Sequence, residues 1–137
     1  MKELKINYLA VVVIVVLGQV VPALWYSMMQ EKWMTLNNLT MEMGKNAGSS
    51  PYIVSIIHSI FFGGVLAWLF VRLKIESAID GLKTALIMSL PFTLLDSMTL
   101  NLFSLRPYPL TWIDAAPELM MWATAGILLG GWRKYKA

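Results

Sequence analysis

Cysteine is absent from the 137 residues, which excludes a disulfide framework, a thiolate metal site and thiol chemistry. Charge is scarce as well: Asp, Glu, Lys and Arg together make up 14%, against about 25% in a soluble domain. There is a single histidine. No phosphate-binding loop, dinucleotide-binding glycine turn, nucleophile elbow or zinc-protease helix occurs anywhere in the chain. So few charges could not cover the surface of a soluble domain of this size. What fills the chain instead is apolar: 58% of it is hydrophobic, where about 45–50% is usual.

The apolar residues gather in four segments, over residues 6–27, 51–71, 78–105 and 110–132. Each approaches or exceeds the roughly 20 residues that a helix needs to cross a bilayer. The first is preceded by Lys2 and Lys5, like a secretory signal, but V-P-A-L-W-Y-S after it offers no small-residue cleavage site, so an uncleaved helix is expected. Pro51 suits the first position of the second segment, with Ser50 as its cap. The reading is a single all-α domain over residues 1–137, an integral membrane bundle of four transmembrane helices. Between the first two segments, Trp33, Leu36, Leu39 or Thr40, and Met43 keep helical spacing, which predicts a short interfacial helix over residues 31–44 in the first outer loop.

Orientation follows from the basic residues. Lys2, Lys5, Arg72, Lys74, Lys83, Arg133, Lys134 and Lys136 fall on one side; Lys32, Lys45 and Arg106 fall on the other. The excess marks the cytoplasmic side of an inner (plasma) membrane, where both termini are placed. The net charge of +3 sits at segment ends and signals topology, not nucleic acid. Trp25, Tyr26, Trp33, Tyr52, Tyr108 and Trp112 fall at the outer boundary, as an aromatic belt does.

Each segment carries one strongly polar residue: Gln19, His58, Asp96 and Glu118. Counted from the outer ends, all four lie roughly 10–14 Å deep at 1.5 Å per residue. Ionisable groups there are costly, so they are expected to face one another. They form either a ligand pocket for a proton, a cation or a small molecule, or polar glue that fixes helix packing. His58, Asp96 and Glu118 are the candidates for a metal, although no pair has diagnostic ligand spacing. Arg106, Asp114, Trp25 and Tyr26 would form the outer rim, with Arg106 either anchored at the headgroups or, the favoured reading, paired to Asp114 across the turn. Thr111 and Asp114 have the spacing of a helix cap. Met28, Met29, Met34, Met41 and Met43 are read first as apolar filling and second as soft copper(I) ligands. Two stripes of small residues, Ser55–Ser59–Gly63–Ala67 and Gly126–Gly130, suit close helix contacts within the chain or in a homo-oligomer.

Several stretches together resemble a known family. They are N-Y-L-A at 7–10, L-W-Y-S at 24–27 with K-W-M at 32–34, Arg106, Pro107, Leu110, Ile113, Asp114 and Ala115 in R-P-x-x-L-x-x-I-D-A, and G-I-L-L-G-G-W near the end. In this order they resemble the bacterial "domain of unknown function 1761" family of small membrane proteins. The resemblance implies a four-helix inner-membrane protein and no particular activity. It also implies that the position of Glu118 is held by histidine in many relatives, and that Met29, Gln30 and Glu31 replace a Phe-Gly pair.

Three functions remain open. The first is binding or transport of a small ligand, proton or cation in the outer half of the bundle. The second is a structural or accessory membrane subunit. The third is a membrane enzyme acting on a lipid or quinone, with His58 as base, which no nucleophile or cofactor motif supports. The sequence requires no cofactor, and the lipid bilayer is the one partner it demands.

Overall fold

The computed structural model describes residues 2–137. The chain is helical apart from one short strand pairing. Helix α1 (Tyr8–Leu36) is followed by the short α2 (Met41–Lys45), then α3 (Ser50–Arg72), α4 (Ala78–Ser89), α5 (Asp96–Phe103) and α6 (Tyr108–Gly131). A π-helical turn, Leu90–Leu95, joins α4 to α5 as one rod. Three stretches are long and apolar enough to cross a membrane: Tyr8–Leu36, Ser50–Arg72 and Ala78–Phe103. Their outward faces are apolar. Val12, Val16, Ile57, Phe61, Val65, Ile87 and Phe92 are all exposed, an exterior that water would not tolerate and lipid would.

Local signals set the ends. Asn7 caps α1: its Oδ1 accepts from the Ala10 N–H at 3.3 Å while its Nδ2 donates to the Trp132 carbonyl at 3.0 Å. Ser77 caps α4, accepting from the Asp80 N–H at 3.0 Å and donating to the Asp80 carboxylate at 2.8 Å. Ser49, one residue before the expected Ser50, is the cap position of α3, and Pro51 lies in its first turn. The stretch over 31–44 is divided. Residues 31–36 prolong α1, Asn38 takes a positive φ of 54°, and Thr40 caps α2 through the Met43 N–H. A helix of 29 residues is roughly 44 Å long, so α1 outruns the roughly 30 Å hydrocarbon layer.

Both termini meet at one end. Leu4 and Lys5 pair antiparallel with Tyr135 and Lys134, and Lys136 bridges Glu3 at 2.6 Å. The Tyr135 hydroxyl donates to Glu76 in the α3–α4 connection at 3.0 Å, and this bond raises the tyrosine above its ordinary pKa. Arg133 turns back to donate to the Leu129 carbonyl at the end of α6. Burial there lowers it below the usual guanidinium value.

The small-residue stripes are used inside the chain. On α6, Gly126 and Gly130 face Ser77, Gly81 and Ala85 of α4 with backbones in contact. A Cβ on Gly81 would fall 2.1 Å from the Gly126 carbonyl, and one on Gly130 would fall 2.3 Å from the Ser77 carbonyl. On α3, Ser59 sits against Gly18 of α1, and Gly63 sits against Val11 and Ile14. Ala67 is buried. Ala10, Ile14, Leu66, Phe70, Ala85, Met121, Trp122, Ala125 and Leu129 fill the core around these contacts.

The π turn decides which face α5 presents. Gly81, Ala85, Ser89, Thr93, Ser97 and Asn101 recur every fourth residue, and each is buried or half-buried. In a regular α-helix, at about 100° per residue, such a stripe would drift about 40° at every step. The wider π turn underwinds the rod and holds the stripe against α6. It opens at Pro91, which cannot donate to the Ile87 carbonyl one helical turn back.

Candidate functional site

The four polar residues expected to form one ring differ in exposure and in bonding. Gln19 lies in the seam between α1 and α3. Its Nε2 donates to the Ser59 hydroxyl at 2.9 Å and to the Ser55 carbonyl at 3.4 Å, and its Oε1 accepts from the Ser55 hydroxyl at 3.0 Å. Every hydrogen-bonding group of that amide is used, which ties α1 to α3. His58 adjoins Ser59, about 100° round the helix. It is exposed and stacks on Phe62, with centroids 6.2 Å apart and planes at 19°. Asp96 is also exposed. In an unbroken α-helix it would share a face with buried Ser89, seven residues earlier; the extra residue of the π turn rotates it outward. Glu118 is half-buried. Among the described residues, no three His, Cys, Asp or Glu side chains are gathered closely enough for a metal ion.

The outer rim is where α1 and α6 meet through polar contacts. Asp114 accepts at a single oxygen from both the Tyr26 hydroxyl and the Trp33 indole, each at 2.9 Å. Tyr26 and Trp33 lie seven residues apart, on one face of α1, and meet edge-on at 5.6 Å. Trp25 donates its indole N–H to the Ile113 carbonyl at 2.8 Å. That carbonyl is open because Pro117, four residues on, has no N–H to close the helical bond. Three aromatic residues of α1 thus grip two successive residues of α6.

Arg106 does not join them. It is exposed, and among the described residues the one ion pair is Lys136 with Glu3. The expected Arg106–Asp114 pair is replaced by the two aromatic donors. Nor is Thr111 a cap, since α6 begins three residues earlier at Tyr108. Instead the Thr111 hydroxyl accepts from Asn101 Nδ2 at 3.1 Å, tying α5 to α6 in a buried contact.

Glu118 lies one helical turn inward of Asp114 on the same helix. It makes no hydrogen bond or ion pair with any described residue. One further turn inward, the Trp122 indole donates to the Thr93 hydroxyl at 2.7 Å and meets Phe62 edge-on at 5.0 Å, closing the interior beneath. The stripe Asp114–Glu118–Trp122 therefore runs from a satisfied carboxylate, through an unpartnered one, to an aromatic floor. Two open hollows of about 360 and 580 Å³ lie elsewhere, along the outer end of α1 around Met28, Glu31 and Thr35. Met34 and Met41 line the larger one, where Gln30 donates to the Met41 sulfur at 3.3 Å.

Trp33, Ser55, Ser59 and Thr93 were not among the site residues expected from sequence. The seven-residue interval between Tyr26 and Trp33 was the available signal for the first.

Residues 9–130 match the model of a family described as "Protein of unknown function (DUF1761)", and the chain belongs to that family. No curated protein and no solved structure matches the chain.

Proposed function

We propose that this DUF1761 member crosses a bacterial plasma membrane four times, with both termini inside. In the outer half of its bundle it binds a small cation at Glu118. Joining of the termini to the α3–α4 connection, together with the eight basic residues that fall on that side, supports the orientation. The fourth crossing would be α6, whose 24 residues carry Asp114 and Glu118.

A single contrast carries the binding proposal. Asp114 holds two donors, while Glu118, deeper and half-buried, holds none. A carboxyl group inside a membrane is costly without a counter-charge or a proton, at about 2.5–3.5 kcal/mol on insertion scales. Of the two carboxyl groups on α6, Glu118 is the one without a partner. Tyr26 and Asp114 stand between it and the outer surface. Movement of the cation across the membrane would need a wider path than four helices enclose, so transport would be the work of an oligomer.

The test is the thermal unfolding midpoint in detergent with sodium, potassium, magnesium and tetraalkylammonium ions, for the wild type, Glu118→Gln and His58→Ala. One of these cations should raise the midpoint of the wild type and of His58→Ala but not of Glu118→Gln, because only binding to the folded state stabilises it. A wild type that responds to no cation at any pH would overturn the proposal.

A further inference from the structure

His58 and Asp96 present a problem that one copy of the chain does not solve. Both lie in stretches apolar enough to cross a membrane, and both are exposed on the outside of the bundle. Neither has an ionic partner among the described residues. Facing lipid, each would carry the cost of an ionisable group in hydrocarbon. Snorkelling past the outer end is ruled out by depth. His58 is eight residues from the first residue of α3, and Asp96 is seven from the last residue of α5. These separations correspond to about 12 and 10 Å, further than an imidazole or a short carboxyl side chain reaches.

We propose that a second copy of the same chain covers this face, with His58 of each copy bonded to Asp96 of the other. Three observations favour that occupant. The two side chains are complementary, an imidazole donor against a carboxyl acceptor. They lie at nearly equal depth on helices of opposite direction. A two-fold axis along the membrane normal preserves depth, so one operation makes both pairings at once. The surrounding surface is apolar, with Ile57 and Phe61 on α3, Leu95 at the end of the π turn, and Leu100 and Phe103 on α5 exposed. The small-residue stripes, the other route to association, are already filled within the chain. Rotation by the π turn is what makes the pairing available: it takes Asp96 off the α6 side and gives it to the partner. The inference stands on membrane placement alone and is independent of cation binding at Glu118.

The natural absence of cysteine makes the test clean. Two differently tagged full-length chains, one His58→Cys and the other Asp96→Cys, are co-expressed, and their membranes are treated with a mild oxidant. Val16→Cys, on an exposed face of α1, serves as the control for either partner. The expected result is a covalent dimer carrying both tags for the 58/96 pair and none for the Val16 pairs. A second arm needs no cross-link. Subunit counting of the intact chain in lipid nanodiscs should give two for the wild type, one for His58→Asp or Asp96→His alone, and two again for the double exchange. Equal cross-linking at Val16, or one subunit per disc for the wild type, would overturn the pairing. Two subunits unaffected by either single exchange would also overturn it, placing the interface elsewhere.

Discussion

The indole N–H of Trp25 is bonded, at 2.8 Å, to the one backbone carbonyl of α6 that Pro117 leaves open, that of Ile113. A proline that would weaken a helix in isolation thereby becomes the attachment point for its neighbour. Trp25→Phe leaves the carbonyl without a donor and should destabilise by about 1–3 kcal/mol. Pro117→Ala closes the carbonyl within the helix, so Trp25→Phe should cost less in that background. A double-mutant cycle in chemical denaturation measures the difference.

Asp114 receives two donors on one oxygen. Asp114→Leu should cost about 2–4 kcal/mol, since it removes a charge-assisted acceptor and leaves two donors unpaired. Asp114→Asn keeps the acceptor and should cost less. Fluorescence unfolding separates the two, with Trp33 as one of the reporters.

The glycines divide by what stands opposite them. Gly81→Ala would drive a methyl group into the Gly126 backbone and should destabilise by about 1–3 kcal/mol or more. Gly64, in the middle of α3, has nothing within 4 Å of its missing Cβ. Gly64→Ala should therefore stabilise by about 0.5–1 kcal/mol through helix propensity alone. Thermal midpoints of the two variants should move in opposite directions.

At the joined termini, pH acts through Tyr135. Its hydrogen bond to Glu76 raises the folded pKa above the ordinary tyrosine value. The bond's contribution is thus complete below that ordinary value, and it fades as pH rises through the raised one. Hydrogen exchange or limited proteolysis should show the terminal strands loosening in alkaline solution. Tyr135→Phe should be loose already and show less further change. Glu3→Gln, which removes an exposed ion pair, should alter stability by no more than about 1 kcal/mol.

How far the residues announced this arrangement depends on which coordinate is asked for. Depth is a matter of counting, and the apolar runs over 6–27, 51–71 and 78–105 were legible because their length alone fixes them. Azimuth was harder. Glycine and serine every fourth residue mark the closely packed faces of α3 and α6, yet counting depth turns His58 inward, where its neighbour Ser59 holds the inward position. Asp96 could not be placed from periodicity at all, because a π turn nearby resets the phase and Pro91 alone does not reveal it. The Arg106–Asp114 pair was inferred from charge. It lost to two indole and phenol donors whose approach depends on α1 continuing well past the expected end at residue 27, through to Leu36.

Direct cation binding tests the role of Glu118. Sodium, potassium, magnesium and tetraalkylammonium ions are each titrated by calorimetry into the wild type and Glu118→Gln in detergent. If Glu118 holds the cation, one of these ions gives a saturable heat with the wild type and none with Glu118→Gln. Equal binding by both proteins, or no binding by the wild type, would contradict a site at that carboxyl group.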